Sequence, residues 1–173
     1  GKFELDQMWV PSVEILTDCE AGARRLIGTR PIAFVSRLEP GLPPVRVDRE
    51  RISRAILGLI ALAIDSLEAG EIRLHAYRKR GLHKAADRLA VDLIDSGCRM
   101  EEFERLRLES IFAATEGLGE KKEVGSAGLG LVLSRRVVML HGGDVCAHSD
   151  ESGGGRGCIF SVTLPLEESN AKP

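Results

Sequence analysis

The stretch GSAGLGL, residues 125–131, decides the fold because it leads directly into an apolar helical pattern that ends at Gly142-Gly143. Glycines at 125, 128 and 130 allow the backbone to approach a ligand closely and to take conformations that a side chain forbids. The helix predicted from Gly128 to His141 would present free amide hydrogens and a positive dipole end to the ligand, which favours phosphate. Glycine-rich helix starts also serve plain packing, so this stretch by itself is compatible with either role.

A second element, Asp95-Ser96-Gly97, lies at the end of the predicted strand RLAVDLID. A carboxylate there can accept a hydrogen bond from an exocyclic amine such as that of adenine, and the glycine leaves room for the base. The alternative is an Asx turn that only ends the strand.

The composition is that of one ordinary soluble domain. The chain has 173 residues, of which 43% are hydrophobic, and its 24 basic and 26 acidic residues give a formal charge of -2. This balance argues against nucleic-acid binding and against a membrane-surface role. Cysteines at 19, 98, 146 and 158 lack the spacing of a zinc site. Cys146 and Cys158 could face each other on neighbouring strands, but we favour two reduced, half-buried thiols. We expect one domain over residues 1–166 and a disordered tail or linker over residues 167–173.

Hydrophobic periodicity predicts helices mixed with antiparallel strands. Helices are expected at 13–26, from an N-cap at Asp48 to near Gly70, at 101–112 and at 128–141, and strands at 31–38, 71–77, 88–95, 144–149 and 158–166. Val13 is expected on the buried face of the first helix. The segment 113–127 lacks periodicity and is expected to be a mobile loop. This order favours helices packed on one face of a mixed sheet.

Taken in order, these motifs resemble those of the GHKL ATPases, and in particular the catalytic domain of sensor histidine kinases. That family has an N box on a helix, a G1 box DxGxG, an F box, a lid and a G2 box GxGLGL. The chain has, in the same order, DRERISRAILGLIALAIDSL, DSGCRM, SIFAAT, EGLGEKKEV and GSAGLGLVLSRRVVMLHGG. The resemblance implies a Bergerat fold, an α/β two-layer sandwich whose mixed, mostly antiparallel sheet is covered on one face by about three helices.

The resemblance also implies a nucleotide site. Asp95 matches the residue that binds the adenine amine, and Gly97 matches the glycine beside it. The G2 box, whose amides hold phosphate oxygens, is matched by Gly125, Gly128, Leu129 and Gly130. Residues 113–127 match the lid, where Lys121 or Lys122 could approach phosphates. Ala113, Ala114 and Thr115 replace the proline and aromatic residue of the F box.

The N box departs from the family pattern. Gly58 and Leu62 occupy the two asparagine positions, and Asp65 occupies a usual lysine position. The spacing places all three on one helical face. The second asparagine holds Mg²⁺, a hard cation that binds oxygen, and leucine offers no oxygen. Asp65 is expected to repel phosphate, and Arg99 replaces the second glycine of the G1 box. We therefore predict no metal site, doubtful Mg²⁺ use, and ATP binding that is weak or lost.

Two functions remain open at this stage. The first is the ATP-binding catalytic domain of a two-component sensor kinase, which donates the γ-phosphate to a histidine outside this fragment. The alternative is a pseudokinase module that regulates a partner kinase or docks a response regulator. The expected partners are dimerisation and phosphoacceptor helices and a receiver domain. No apolar run reaches the ~18 residues of a membrane span, so we expect a cytoplasmic fragment without membrane contact, whose parent could be membrane-anchored.

Overall fold

A computed structural model of the chain describes residues 4–81, 86–97, 126–149 and 157–166. These residues form three helices, α1 (Ser12–Ile27), α2 (Arg49–Asp65) and α3 (Ser126–Leu140). They also form seven strands, β1 (Met8–Val10), β2 (Ile32–Leu38), β3 (Val45–Val47), β4 (Gly70–Lys79), β5 (Arg88–Asp95), β6 (Asp144–Ser149) and β7 (Cys158–Pro165). Five of the strands make one sheet in the order β2-β4-β5-β7-β6, and β1 pairs with β3.

The five-stranded sheet is mixed and carries the core on one face. Ile72, Leu74 and Ala76 alternate along β4 and are buried, whereas Arg73 and Lys79 are exposed. β2 pairs with β4 in parallel, and the other neighbouring strands are antiparallel. A parallel pair needs a crossover connection, which α2 provides. The predicted two-layer architecture, with helices on one face of a mostly antiparallel sheet, is confirmed.

Helix α2 begins as its sequence predicts. Asp48 is the N-cap, and its carboxylate accepts a hydrogen bond from the Arg51 backbone N–H at 3.1 Å. The buried residues of α2 recur at helical spacing: Ile52, Ala55, Ile56, Leu59, Ile60, Ala63 and Ile64. The helix ends at Asp65, five residues before the predicted end near Gly70, because the chain must turn there to start β4.

One finer prediction is wrong, two short strands were missed, and one of the two alternatives for the cysteines is excluded. Val13 is 52% exposed, since the buried face of α1 starts instead at Ser12 and continues through Ile15. The two short strands β1 and β3 were not predicted, because three residues are too few to show alternation. Cys146 and Cys158 do not face each other: the register of β6 and β7 places Cys146 opposite Ser161 and Cys158 opposite Ser149.

Several predictions lie outside the described residues. They concern the helix at 101–112, the F box, the lid residues up to 125, Arg99 and the tail at 167–173. The strands predicted at 88–95, 144–149 and 158–166 agree with β5, β6 and β7 to within one residue. None of the three described helices is long and apolar enough to cross a membrane.

Candidate nucleotide site

The first N-box position lies where α2 and α3 pack against each other. Gly58 is partly buried, and a Cβ atom at this position would lie 2.7 Å from Ser134 Oγ on α3. Ser134 is only 6% exposed, so its hydroxyl group occupies space that any side chain at position 58 would need. The close approach of the two helices therefore depends on the missing side chain.

The other two N-box positions have different surroundings, although all three lie on one side of α2. Leu62 is partly buried and packs against the hydrophobic core. Asp65 is exposed over 81% of its side chain, and its carboxylate lies 4.0 Å from the Arg30 guanidinium. Arg30 thus offsets part of the negative charge that was expected to repel phosphate. Such an exposed pair contributes little to stability.

Arg30 has a further role that the sequence did not indicate. Its Nη2 donates to the Ile64 carbonyl at 2.9 Å and also to the Leu67 carbonyl. These carbonyls belong to the last turn of α2 and to the residues that follow, where the regular helical hydrogen bonds end, although the Ile64 carbonyl also accepts the Leu67 N–H at 3.2 Å. Because Arg30 is separated from both by more than 30 positions, spacing alone could not reveal the contact. The Arg30 guanidinium therefore caps the C-terminal end of α2, the end at which Asp65 lies.

The Asp95 carboxylate is held in one orientation by two backbone groups. Asp95 is 5% exposed, and its Oδ1 accepts the Gly97 N–H at 2.9 Å and the Cys158 N–H at 3.4 Å. Within the described residues, both hydrogen bonds to this carboxylate end on Oδ1, so Oδ2 can accept an N–H from a ligand. Burial raises the pKa of Asp95, and the two N–H groups oppose that rise.

The turn after Asp95 is tied to the neighbouring strand β4. The Ser96 N–H donates to the Glu71 carbonyl at 3.0 Å, and Ser96 Oγ accepts the Glu71 N–H at 2.8 Å. A Cβ atom at Gly97 would lie 2.8 Å from Asp95 Oδ1 and 3.2 Å from Leu67 Cδ2. The Gly97 N–H bond to Asp95 is that of an Asx turn. The Asx turn is thus present, and it leaves Oδ2 to a ligand.

The helix that contains the glycine stretch begins earlier in the chain than predicted. Helix α3 begins at Ser126, two residues before Gly128, so Gly128, Leu129 and Gly130 lie in its first turns. Among the residues that the structure describes, no atom lies within 4 Å of a Cβ atom placed at Gly130, so packing within this part of the chain does not explain the glycine. Gly125 lies outside the described residues.

A cavity of about 1010 Å³ lies beside the N-terminal half of α2, between this helix, α3 and the segment around β1. Its lining includes Met8, Asp48, Leu57, Leu133 and Ser134. Gly58, Leu62, Asp65, Asp95 and Gly97 do not line it. This cavity is therefore separate from the motif positions that the structure describes.

A Bergerat-type sandwich with a strand-end carboxylate and a glycine-rich helix start is the arrangement typical of the GHKL family. Comparison with known families agrees: the family described as "Histidine kinase-, DNA gyrase B-, and HSP90-like ATPase" matches residues 47–168. The chain belongs to this family and corresponds to the ATP-binding catalytic domain of sensor histidine kinases.

Individual relatives agree with this assignment. The adaptive-response sensory kinase SasA of Synechococcus sp. (strain JA-2-3B'a(2-13)) is 32% identical over 143 residues, covering 82% of this chain and 35% of that protein. The histidine-protein kinase AtoS of Escherichia coli (strain K12) is 27% identical over 78% of this chain and 20% of its own length. The chain thus spans about a third or less of these relatives.

Solved structures show the same fold at lower identity. Full-length ShkA, crystallised in complex with AMPPNP, superposes with a TM-score of 0.72 at 21% identity, covering 95% of this chain and 32% of that chain. The catalytic domain of histidine kinase ThkA gives a TM-score of 0.69 at 19% identity, covering 92% of this chain and 95% of that chain.

The family's ligand is an adenine nucleotide with Mg²⁺, and the residues of this chain fit the nucleotide better than the metal ion. The oriented Asp95 carboxylate and the open space at Gly130 fit an adenine nucleotide. Position 62 does not fit magnesium, because a leucine packed on the core offers no oxygen ligand. Among the described residues, no group of three or more His, Cys, Asp or Glu side chains could hold a metal ion.

The contact between Gly58 and Ser134 leads to a double-mutant prediction. Gly58→Ala alone gains about 1 kcal/mol of helix propensity but forces its Cβ onto Ser134 Oγ, and we expect a net loss of about 1 kcal/mol. In a Ser134→Ala background the obstacle is gone, and the same substitution should stabilise the protein. Urea unfolding of the four proteins measures the coupling, which we expect to be about 2 kcal/mol. Additive changes would show that Ser134 moves away freely.

Proposed function

We propose that this chain is a sensor-kinase ATP-binding domain that binds the adenine end of a nucleotide and uses Mg²⁺-ATP poorly. The observation that carries the proposal is the Asp95 carboxylate, which is buried and fixed through Oδ1. A fixed acceptor selects an amine donor such as that of adenine over a carbonyl at the same position. Gly97 permits the Asx turn that fixes Asp95 Oδ1, and Gly130 leaves space near the helix start for phosphates.

The impairment concerns the metal and phosphate end of the site. Transfer of a phosphoryl group depends on positioning and on charge neutralisation by metal and donors. Leu62 supplies no ligand, and Asp65 replaces a cation with an acid that Arg30 offsets in part. We therefore propose that the loss affects catalysis more than it affects base binding. In this proposal the phosphate acceptor is a histidine on helices outside this fragment, and the next partner is a response-regulator receiver domain.

A second candidate, a pseudokinase or scaffold module, is favoured by one specific observation. The N-box face of α2 packs against other residues of the protein: Ser134 fills the space at Gly58, and Leu62 packs against the hydrophobic core. These substitutions favour a rigid α2–α3 pair over an open metal site. In this candidate function the domain regulates a partner kinase or docks a response regulator without catalysis.

Restoring the metal ligand distinguishes the two candidates. Leu62→Asn should raise the affinity for Mg²⁺-ATP about tenfold, equivalent to about 1.4 kcal/mol, while costing some core stability. Adding Asp65→Lys should bring little more, because the new ammonium group would lie beside the Arg30 guanidinium. Isothermal titration with ATP, with and without Mg²⁺, measures both effects.

The control is Leu57→Asn, the same substitution at a partly buried position of α2 that packs toward Gly22 of α1. It should lose stability without gaining affinity. If Leu62→Asn gains no magnesium-dependent affinity, the pocket has been lost more widely and the scaffold function is favoured. If the unmodified chain already binds Mg²⁺-ATP at micromolar concentration, the proposed impairment is wrong.

A further inference from the structure

His141 is a buried histidine that joins two helices and was not assigned a role from the sequence. It follows the last residue of α3 and is 4% exposed. Its Nδ1 lies 2.8 Å from the Val137 carbonyl, and its Nε2 accepts the Asp48 backbone N–H at 3.1 Å. A carbonyl can only accept, so Nδ1 carries the proton and Nε2 is the acceptor. Both ring nitrogens of His141 therefore have a hydrogen-bond partner.

The residue that His141 contacts is itself held in place. Asp48 is 8% exposed and is the N-cap of α2. Its carboxylate accepts the Arg51 N–H, lies 3.1 Å from Arg51 Nε, and accepts the Asp6 N–H at 3.3 Å. The His141 imidazole thus accepts a hydrogen bond from a residue whose position at the start of α2 is already constrained.

The contact between His141 and Asp48 joins the two helices that carry the candidate nucleotide site. Helix α3 carries the glycine stretch at its beginning and His141 just beyond its end. Helix α2 begins at the contact and carries Gly58 and Leu62 farther along. Between the two lies the close approach of Gly58 and Ser134. A change at the His141 end would therefore move the glycine stretch relative to the N-box positions.

We infer that His141 is a positioning residue, which fixes the end of α3 on the N-cap of α2 and thereby sets the distance between the glycine stretch and the N-box face. Its effect on nucleotide rests on the proposed function, whereas its effect on the two helices does not. The role requires an acceptor at Nε2, which the amide oxygen of glutamine can supply and phenylalanine cannot.

The test compares His141→Phe, His141→Gln and Val138→Ala in the 173-residue chain. Val138 is fully buried on α3 and lies beside Gly143, so its truncation is a destabilising control that leaves the hydrogen bond from Asp48 to His141 intact. The first measurement is the NMR cross-peak between Gly58 Hα and Ser134 Hβ. We expect His141→Phe to weaken it at least threefold, and His141→Gln and Val138→Ala to retain it. An unchanged cross-peak in His141→Phe, or an equal loss in Val138→Ala, overturns the inference.

The second measurement compares adenosine, which uses only the base end, with AMPPNP, which uses both ends. His141→Phe should weaken AMPPNP binding about fivefold and leave adenosine binding within twofold, while Val138→Ala should shift neither. Equal weakening of both ligands in His141→Phe overturns the effect on the site. If the unmodified chain binds neither ligand, the proposed function fails, and the cross-peak still decides whether His141 positions the helices.

Discussion

Asp95→Asn should weaken adenine-nucleotide binding on the order of 30-fold, because it turns the acceptor at the base into a donor. The new amide must place its oxygen at the Oδ1 position, because the Gly97 and Cys158 N–H groups donate to that position. Its NH₂ group then takes the Oδ2 position and faces the amine of the base, donor against donor. Loss of one charge-assisted hydrogen bond at a buried site is worth about 2 kcal/mol. Titration with ADP or AMPPNP measures the loss.

The same variant should be more stable than the natural chain at neutral pH. Burial raises the pKa of Asp95, so the folded protein carries a carboxylate charge that its surroundings disfavour. This penalty is full above the folded-state pKa, shrinks as the pH falls from there toward the ordinary value, and is gone below the ordinary value, where the group is neutral in both states. Urea unfolding from pH 7 down to pH 4 should show the advantage of Asp95→Asn shrinking.

Asp92→Asn is the matched control, since it makes the same change on the same strand but on the other face of the sheet. Asp92 accepts hydrogen bonds from Tyr77 Oη at 3.1 Å and from Ser161 Oγ at 2.6 Å. This variant should leave nucleotide affinity unchanged. Equal losses of affinity in the two variants would mean that the effect comes from net charge, and Asp95 would lose its assigned role.

Gly143→Ala should be the most destabilising single substitution considered, costing about 3 kcal/mol. Gly143 lies where α3 leads into β6, and a Cβ atom there would overlap the Thr163 carbonyl oxygen of β7. The same atom would lie 2.7 Å from Val138 Cγ1 and 3.1 Å from Leu164 Cδ2. The carbonyl belongs to the strand backbone and cannot rotate away. Thermal or urea unfolding measures the loss.

Gly130→Ala serves as the control, because a Cβ atom at position 130 meets no atom of the described residues within 4 Å. In this helical position alanine should stabilise the protein by up to about 1 kcal/mol. The opposite signs of the two glycine substitutions separate a packing requirement from helix propensity. Similar stability changes in both variants would show that strand β7 yields at Gly143.

Sequence patterns predicted the elements that have a clear period and a clear end. Strand β5 is a mostly apolar run of eight residues that ends at Asp95, and Asp48 is a strong cap in front of α2, so both were placed correctly. The order of the motifs predicted the family, and hence the sheet and its helical layer. Asp95 and Gly97 were predicted together because a carboxylate and a glycine at a strand end are adjacent in the sequence.

The remaining features depend on contacts between distant residues. Arg30 reaches carbonyls at the end of α2, His141 reaches Asp48, and Ser134 fills the space at Gly58. None of these pairs has a spacing that a helix or strand period would reveal. The burial of Leu62 and the exposure of Asp65 likewise follow from the way α2 lies on its neighbours.

The packing of Ser134 against Gly58 has an evolutionary consequence. An asparagine at position 58 cannot keep this helix spacing, so the single substitution Gly58→Asn meets Ser134 Oγ as an obstacle. The order of changes then matters: position 134 or the helix spacing must change before an asparagine becomes acceptable. Such epistasis would couple sequence changes at positions 58 and 134.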